Sequence, residues 1–178
     1  MWRNRLTLIG LFALAIVPLF GAYWLYQSTR TSAPWSTTNH GELLTPIQSI
    51  ADRGLQSADG SVSMVDSGVW WLVTVSDGDC GESCGHAVFE LRQLHVLLGK
   101  DADRIKRALV ELGGGGVDPE LAERYPQLNW FTGSAGALRA GVYIVDPHGN
   151  LVLYYDYADA GKPILEDLKK LLKVSHIG

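Results

Sequence analysis

Cys80 and Cys84 are the two cysteines of this 178-residue chain. They stand four positions apart in Asp77-Gly78-Asp79-Cys80-Gly81-Glu82-Ser83-Cys84-Gly85-His86. Residues four apart share a face on a helical turn. The spacing permits a disulfide if the chain bends there, or two thiolates converging on a soft metal such as Cu(I). The pair follows an apolar run and precedes a helical pattern, so it sits at a helix start. Free N–H groups and the positive dipole end at such a position stabilise a thiolate and lower its pKa. The carboxylates of Asp77, Asp79 and Glu82 act in the opposite sense. Three chemistries stand side by side: a structural disulfide, dithiol–disulfide exchange, and copper binding. A structural bond closing so short a loop constrains the unfolded chain little and stabilises weakly.

A third metal donor has to come from a histidine. His86 is two residues past Cys84, about 200° around a helix, so it joins the pair only if the chain turns non-helically there. His95 falls in an apolar helical pattern and reads as a packing residue, and His148 sits in a turn. His40 and His176 lie near the ends of the domain, and no ligand spacing links any of these four to the cysteines.

The elements that must position the pair follow from periodicity. Val69 to Val75 (VWWLVTV) is a continuous apolar, β-branched run, which predicts a strand buried on both faces. Trp70 and Trp71 would face opposite ways, as would Tyr154 and Tyr155. His86 to Leu98 carries Val88, Leu91, Leu94 and Leu98 at helical spacing. Arg104 to Leu112 allows a helix or a strand. Pro119 to Tyr125 reads as a short helix with proline near its start. Gly141 to Asp146 and Leu151 to Asp156 form a hairpin across Pro147-His148-Gly149-Asn150. Pro163 to Val174 is an amphipathic closing helix. The order is strand, helix, ambiguous element, hairpin, helix, which predicts an α/β sandwich with a small central sheet.

Leu6 to Leu25 contains no charged residue and is long enough to cross a bilayer as a helix. Tyr23, Trp24 and Tyr26 mark an interface. Arg3 and Arg5 before the run, against Arg30 alone close behind it, put the N-terminus in the cytoplasm and the domain outside. In a bacterium that is the inner membrane, with the domain in the periplasm. No A-x-A site follows the run, which argues against a cleaved signal peptide. The expected organisation is an anchor over 1–28, a tether over 29–40 and a domain over 41–178. The net charge is −4, and no basic patch offers phosphate contacts, so nucleic acid is not an expected partner. Gly113 to Gly116 lacks the Lys and Ser/Thr of a phosphate-binding loop. There is no G-x-S-x-G elbow, and Asp156 and Asp159 read as turn or cap residues.

The succession of a buried strand, C-x-x-x-C at a helix start, a Y-I-V-D-P-x-G hairpin and a closing helix resembles the Sco/SenC family. The resemblance implies a thioredoxin-like fold, a membrane anchor, and a role beside cytochrome c oxidase subunits or their assembly factors. It implies that Cys80 and Cys84 act by thiol–disulfide exchange, Cys80 attacking and Cys84 resolving, with Cu(I) as a candidate ligand. Two departures stand out. The position of the family's copper histidine falls near Leu138, in Ala137-Leu138-Arg139-Ala140, and the proline after the first cysteine is replaced by Gly81. Nor does a proline precede Gly141, where thioredoxins carry their cis-proline. The alternative from another class is a non-catalytic thioredoxin-fold scaffold that binds a partner, its cysteines locked in a structural disulfide.

Overall fold

The computed structural model describes residues 38–175 except 61 and 115, together with residues 12, 14, 16–24 and 27. Residues 29–37 of the expected tether, and His176, lie outside the described residues. The chain divides into two compact units, Met1–Thr38 and Asn39–Gly178. In the first, residues 16–24 are helical. Among the described residues no helix is long and apolar enough to cross a membrane.

The second unit is built on one seven-stranded sheet. Its strands are β1 (Glu42–Ser49), β2 (Gln56–Ser57), β3 (Trp70–Asp77), β4 (Ile105–Leu112), β5 (Asn129–Gly133), β6 (Gly141–Val145) and β7 (Asn150–Tyr155). The order across the sheet is β1-β7-β6-β3-β4-β5-β2. β3, β4 and β5 run parallel, and the remaining pairings are antiparallel. Helices α1 (Glu82–Leu97), α2 (Pro119–Arg124) and α3 (Lys162–Val174) complete the unit. This is a thioredoxin-like α/β fold. Its sheet is larger than the small one expected, because β1, β2 and β5 were not legible as strands.

The segment with two readings, Arg104 to Leu112, resolves as a strand. Ile105–Leu112 is paired on both edges, to β3 and to β5, and all but Lys106 is buried. A strand enclosed on both faces needs no polar alternation, which is why its pattern also fitted a helix. The adjacent tryptophans divide as strand geometry requires. Trp70 packs with Leu72, Ile144, α1 and α3. Trp71 packs on the other face with Val73, Val110, Phe131 and Tyr154. Tyr154 and Tyr155 divide the same way.

The two faces are covered differently. α1 lays Ala87, Leu91 and Leu94 on the first face, and α3 adds Ile164, Leu168 and Leu172. At about 25 cal/mol per Å² of apolar surface removed from water, each such leucine or isoleucine contributes roughly 1.5–3 kcal/mol. The opposite face is covered by Ile50, Met64 and Leu138 from connecting segments. The hairpin between β6 and β7 closes on Asp146, whose Oδ1 accepts from the N–H groups of His148 at 2.9 Å and Asn150 at 2.8 Å. Gly149 takes φ +90° there, a conformation that favours glycine.

Candidate functional site

β3 ends at Asp77 and the chain turns sharply through Gly78, which has φ +85°. Two bonds hold the turn against the sheet. Gly78 N–H donates to the Leu112 carbonyl at 2.8 Å, and the Ser76 hydroxyl donates to the Asp79 carbonyl at 3.0 Å. Cys80 therefore leaves the end of the central strand, and Gly81 caps α1 in an extended conformation. Cys84 lies in the first turn of α1. The two are joined in a disulfide with Cα atoms 5.2 Å apart. Cys80 is not on the helix, so the pair does not share a helical face; the bend before Glu82 brings the sulfurs together.

The two sulfurs differ in environment. Cys84 is buried against Val88, Leu109, Tyr125 and Leu128, while Cys80 is half-buried at the edge of that cluster. An open cleft flanks the cystine on either side. One, of about 360 Å³, is lined by Cys80, Glu82, Asp118, Glu120, Arg124 and Tyr125. The other, of about 290 Å³, is lined by Ser76, Asp77, Asp79, Cys84, Ala140 and Tyr157. Ala140, where thioredoxins place their cis-proline, thus lines the cleft beside Cys84. The Tyr157 hydroxyl donates to the Val75 carbonyl, tying the turn after β7 to the strand that carries the cysteines.

The metal donors separate into two groups. Cys80 and Cys84 converge. His86 is exposed on α1, 3.9 Å from Glu90, because α1 is regular from Glu82 and leaves no non-helical turn at Gly85. His40 meets Glu166 at 2.9 Å, His95 meets the Ala102 carbonyl at 2.9 Å, and His148 lies 3.5 Å from Asp66. Leu138 is buried on the sheet face opposite α1. Among the described residues no three His, Cys, Asp or Glu side chains form a metal-holding group. The residues present therefore fit two soft sulfur donors once the cystine is reduced, and His86 does not complete a copper site in this arrangement.

One residue of the site was missed in the sequence. Glu111, in β4, is 2% exposed. It stands in register with Ser76, on the sheet face beneath the cysteine turn. Burial pushes its carboxyl above the usual carboxylate range, and the charges of Asp118 and Asp79 push it the same way. The signal was available: a lone acid in the apolar run Ala108 to Leu112. Asp118 was also missed. It caps α2, its Oδ1 accepting from Glu120 N–H at 2.8 Å and Leu121 N–H at 3.3 Å.

A disulfide between the end of a central strand and the first turn of the following helix, on a mixed sheet, defines a thioredoxin-like protein. Residues 70–175 match the family model described as "transmembrane-like, thioredoxin-like, C-terminal domain", and the chain belongs to that family. No curated protein sequence matches it. Among solved structures, the apo Sco1 protein from Thermus thermophilus is similar at 19% identity, over 76% of this chain and 98% of that one, with a TM-score of 0.55. Yeast Sco1 is similar at 14% identity, over 68% and 92%, with a TM-score of 0.53. Bradyrhizobium japonicum ScoI with copper bound shares 20% identity over 65% and 94%, with a TM-score of 0.46. The likeness to the two Sco1 structures establishes a Sco-like thioredoxin fold.

Proposed function

We propose that the protein is a membrane-anchored thiol–disulfide exchange factor that assists cytochrome c oxidase assembly. The observation that carries the exchange chemistry is the asymmetry of the cystine: Cys80 is half-buried beside an open cleft, and Cys84 is buried in an apolar cluster. In the reduced state Cys80, as thiolate, attacks a partner disulfide. One partner sulfur leaves as a thiolate and a mixed disulfide forms. Cys84, deprotonated, then attacks the Cys80 sulfur, releasing the second partner thiolate and re-forming the Cys80–Cys84 bond. Two electrons pass to the partner, and an upstream dithiol must return them.

The oxidase setting is supported by the Sco-like fold. The anchor reading is supported by the uncharged run Leu6 to Leu25, and Arg3 and Arg5 ahead of it support a domain on the outer, periplasmic side of a bacterial inner membrane. Cu(I) handling is a narrower part of the same reading, resting on the two sulfurs alone. Competition for Cu(I) by the reduced chain and by Cys84→Ser tests it: a weaker variant keeps it, and equal affinities remove it.

Redox titration decides between exchange and a structural bond. A working pair equilibrates with glutathione or thioredoxin-range buffers, at about −180 to −270 mV, whereas a potential below about −300 mV marks a structural cystine and sinks the reading.

A further inference from the structure

The charged side chains lining the two clefts beside the cystine are predominantly acidic. Asp77, Asp79 and Glu82 line the cleft beside Cys84, and Glu82, Asp118 and Glu120 line the one beside Cys80. The single cation among these lining residues, Arg124, already pairs with Glu120 at 2.7 Å. Beneath the turn, Glu111 adds a carboxyl that is 2% exposed. It feels the charges of Asp118 and Asp79, the acids on the two sides of Cys80. Arg107, two residues earlier on the same strand face, is also buried, and its Nη1 has no hydrogen-bond partner among the described residues. Asp118 is partly neutralised by the N–H groups of α2, while Asp77, Asp79 and Glu82 are exposed.

Such a frame opposes the approach of an acidic segment and attracts a basic one. Low-dielectric walls beside a cleft strengthen that preference. Resting on the thiol-exchange reading, we propose that the acidic frame around Cys80–Cys84 selects, as exchange partner, a protein segment whose disulfide is flanked by lysine or arginine. Steering of this kind acts on the encounter rate, so it speeds formation of the mixed disulfide and weakens with salt.

The test uses the reduced full-length chain in detergent and three synthetic disulfide peptides that differ in their flanks: Lys/Arg, Ser/Gln or Glu. Reduction of each is followed by rapid mixing at low and at high ionic strength. The basic peptide is expected to react about tenfold or more faster than the acidic one at low salt, with the neutral peptide between them and the spread collapsing at high salt. The double variant Asp79→Asn/Glu82→Gln, both positions exposed, should shrink the spread severalfold. Asp103→Asn, past the far end of α1, should not. Equal rates for the three peptides, or a spread that Asp79→Asn/Glu82→Gln leaves intact, overturn the inference and leave exchange standing. If even the neutral peptide is not reduced, the exchange reading itself fails.

Discussion

Two buried carboxyls of this domain have pKa values shifted in opposite directions. Asp167 on α3 is 1% exposed. Burial by itself would raise its pKa, but the Gly41 N–H at 3.1 Å, Lys170 at 3.1 Å, the Tyr155 hydroxyl at 2.9 Å and the His40 N–H at 2.6 Å together hold it below the usual aspartate range. Its stabilising contribution is present above the unfolded aspartate pKa and is lost as pH falls through the lowered folded value. Asp167→Ala should cost about 2–3 kcal/mol at neutral pH, read by urea denaturation, with the difference narrowing in strong acid. Glu111 works the other way. Its folded pKa is raised, so the folded state is penalised as pH rises from the ordinary glutamate range through that raised value. Glu111→Gln should remove this decline: the denaturation midpoints of variant and wild type converge below the ordinary glutamate pKa and separate above it, the variant being more stable. An unchanged gap across pH would contradict the account.

At the scale of elements, the helices were readable because their burial is periodic. α3 presents Ile164, Leu168 and Leu172 to the sheet and keeps Lys169, Lys170 and Lys173 outward. Leu168→Ala should therefore destabilise by about 2–5 kcal/mol, measured by the same denaturation. The strands show why other elements were hidden. β2 is two residues long, and β1 pairs with β7 about a hundred residues away through a shifted register. Neither carries a local pattern strong enough to announce a strand. β6 depends on a position that sequence alone did not single out for packing. At Gly141, with φ +144°, an added Cβ would come within 2.6 Å of the Tyr154 ring and of the Tyr155 carbonyl oxygen. Gly141→Ala should lower the thermal midpoint sharply, since the obstacle is the neighbouring strand's backbone and not a movable side-chain tip.

For the whole molecule, the compact unit Asn39–Gly178 holds the sheet, the three helices and the cystine. The fragment 39–178 should fold with a reducible Cys80–Cys84 bond. The full chain should remain with the membrane fraction through alkaline wash while the fragment partitions into the aqueous phase. Full-length protein extracted by alkaline wash would remove the anchor from the proposal.

What the sequence determined by itself is local: the doubly buried strand from Trp70, the helical faces, the hairpin, and a cysteine pair at a helix start. Each depends on residues within a turn or two of one another, where spacing and side-chain type decide conformation. Tertiary structure decided the rest. It set the seven-strand order, joined Cys80 to Cys84 across the bend before Glu82, kept His86 away on the regular helix, and placed Glu111 beneath the cysteine turn. Those outcomes depend on which distant strands pair and which face a side chain then meets, and pairing energy between such segments leaves no periodic trace in either one.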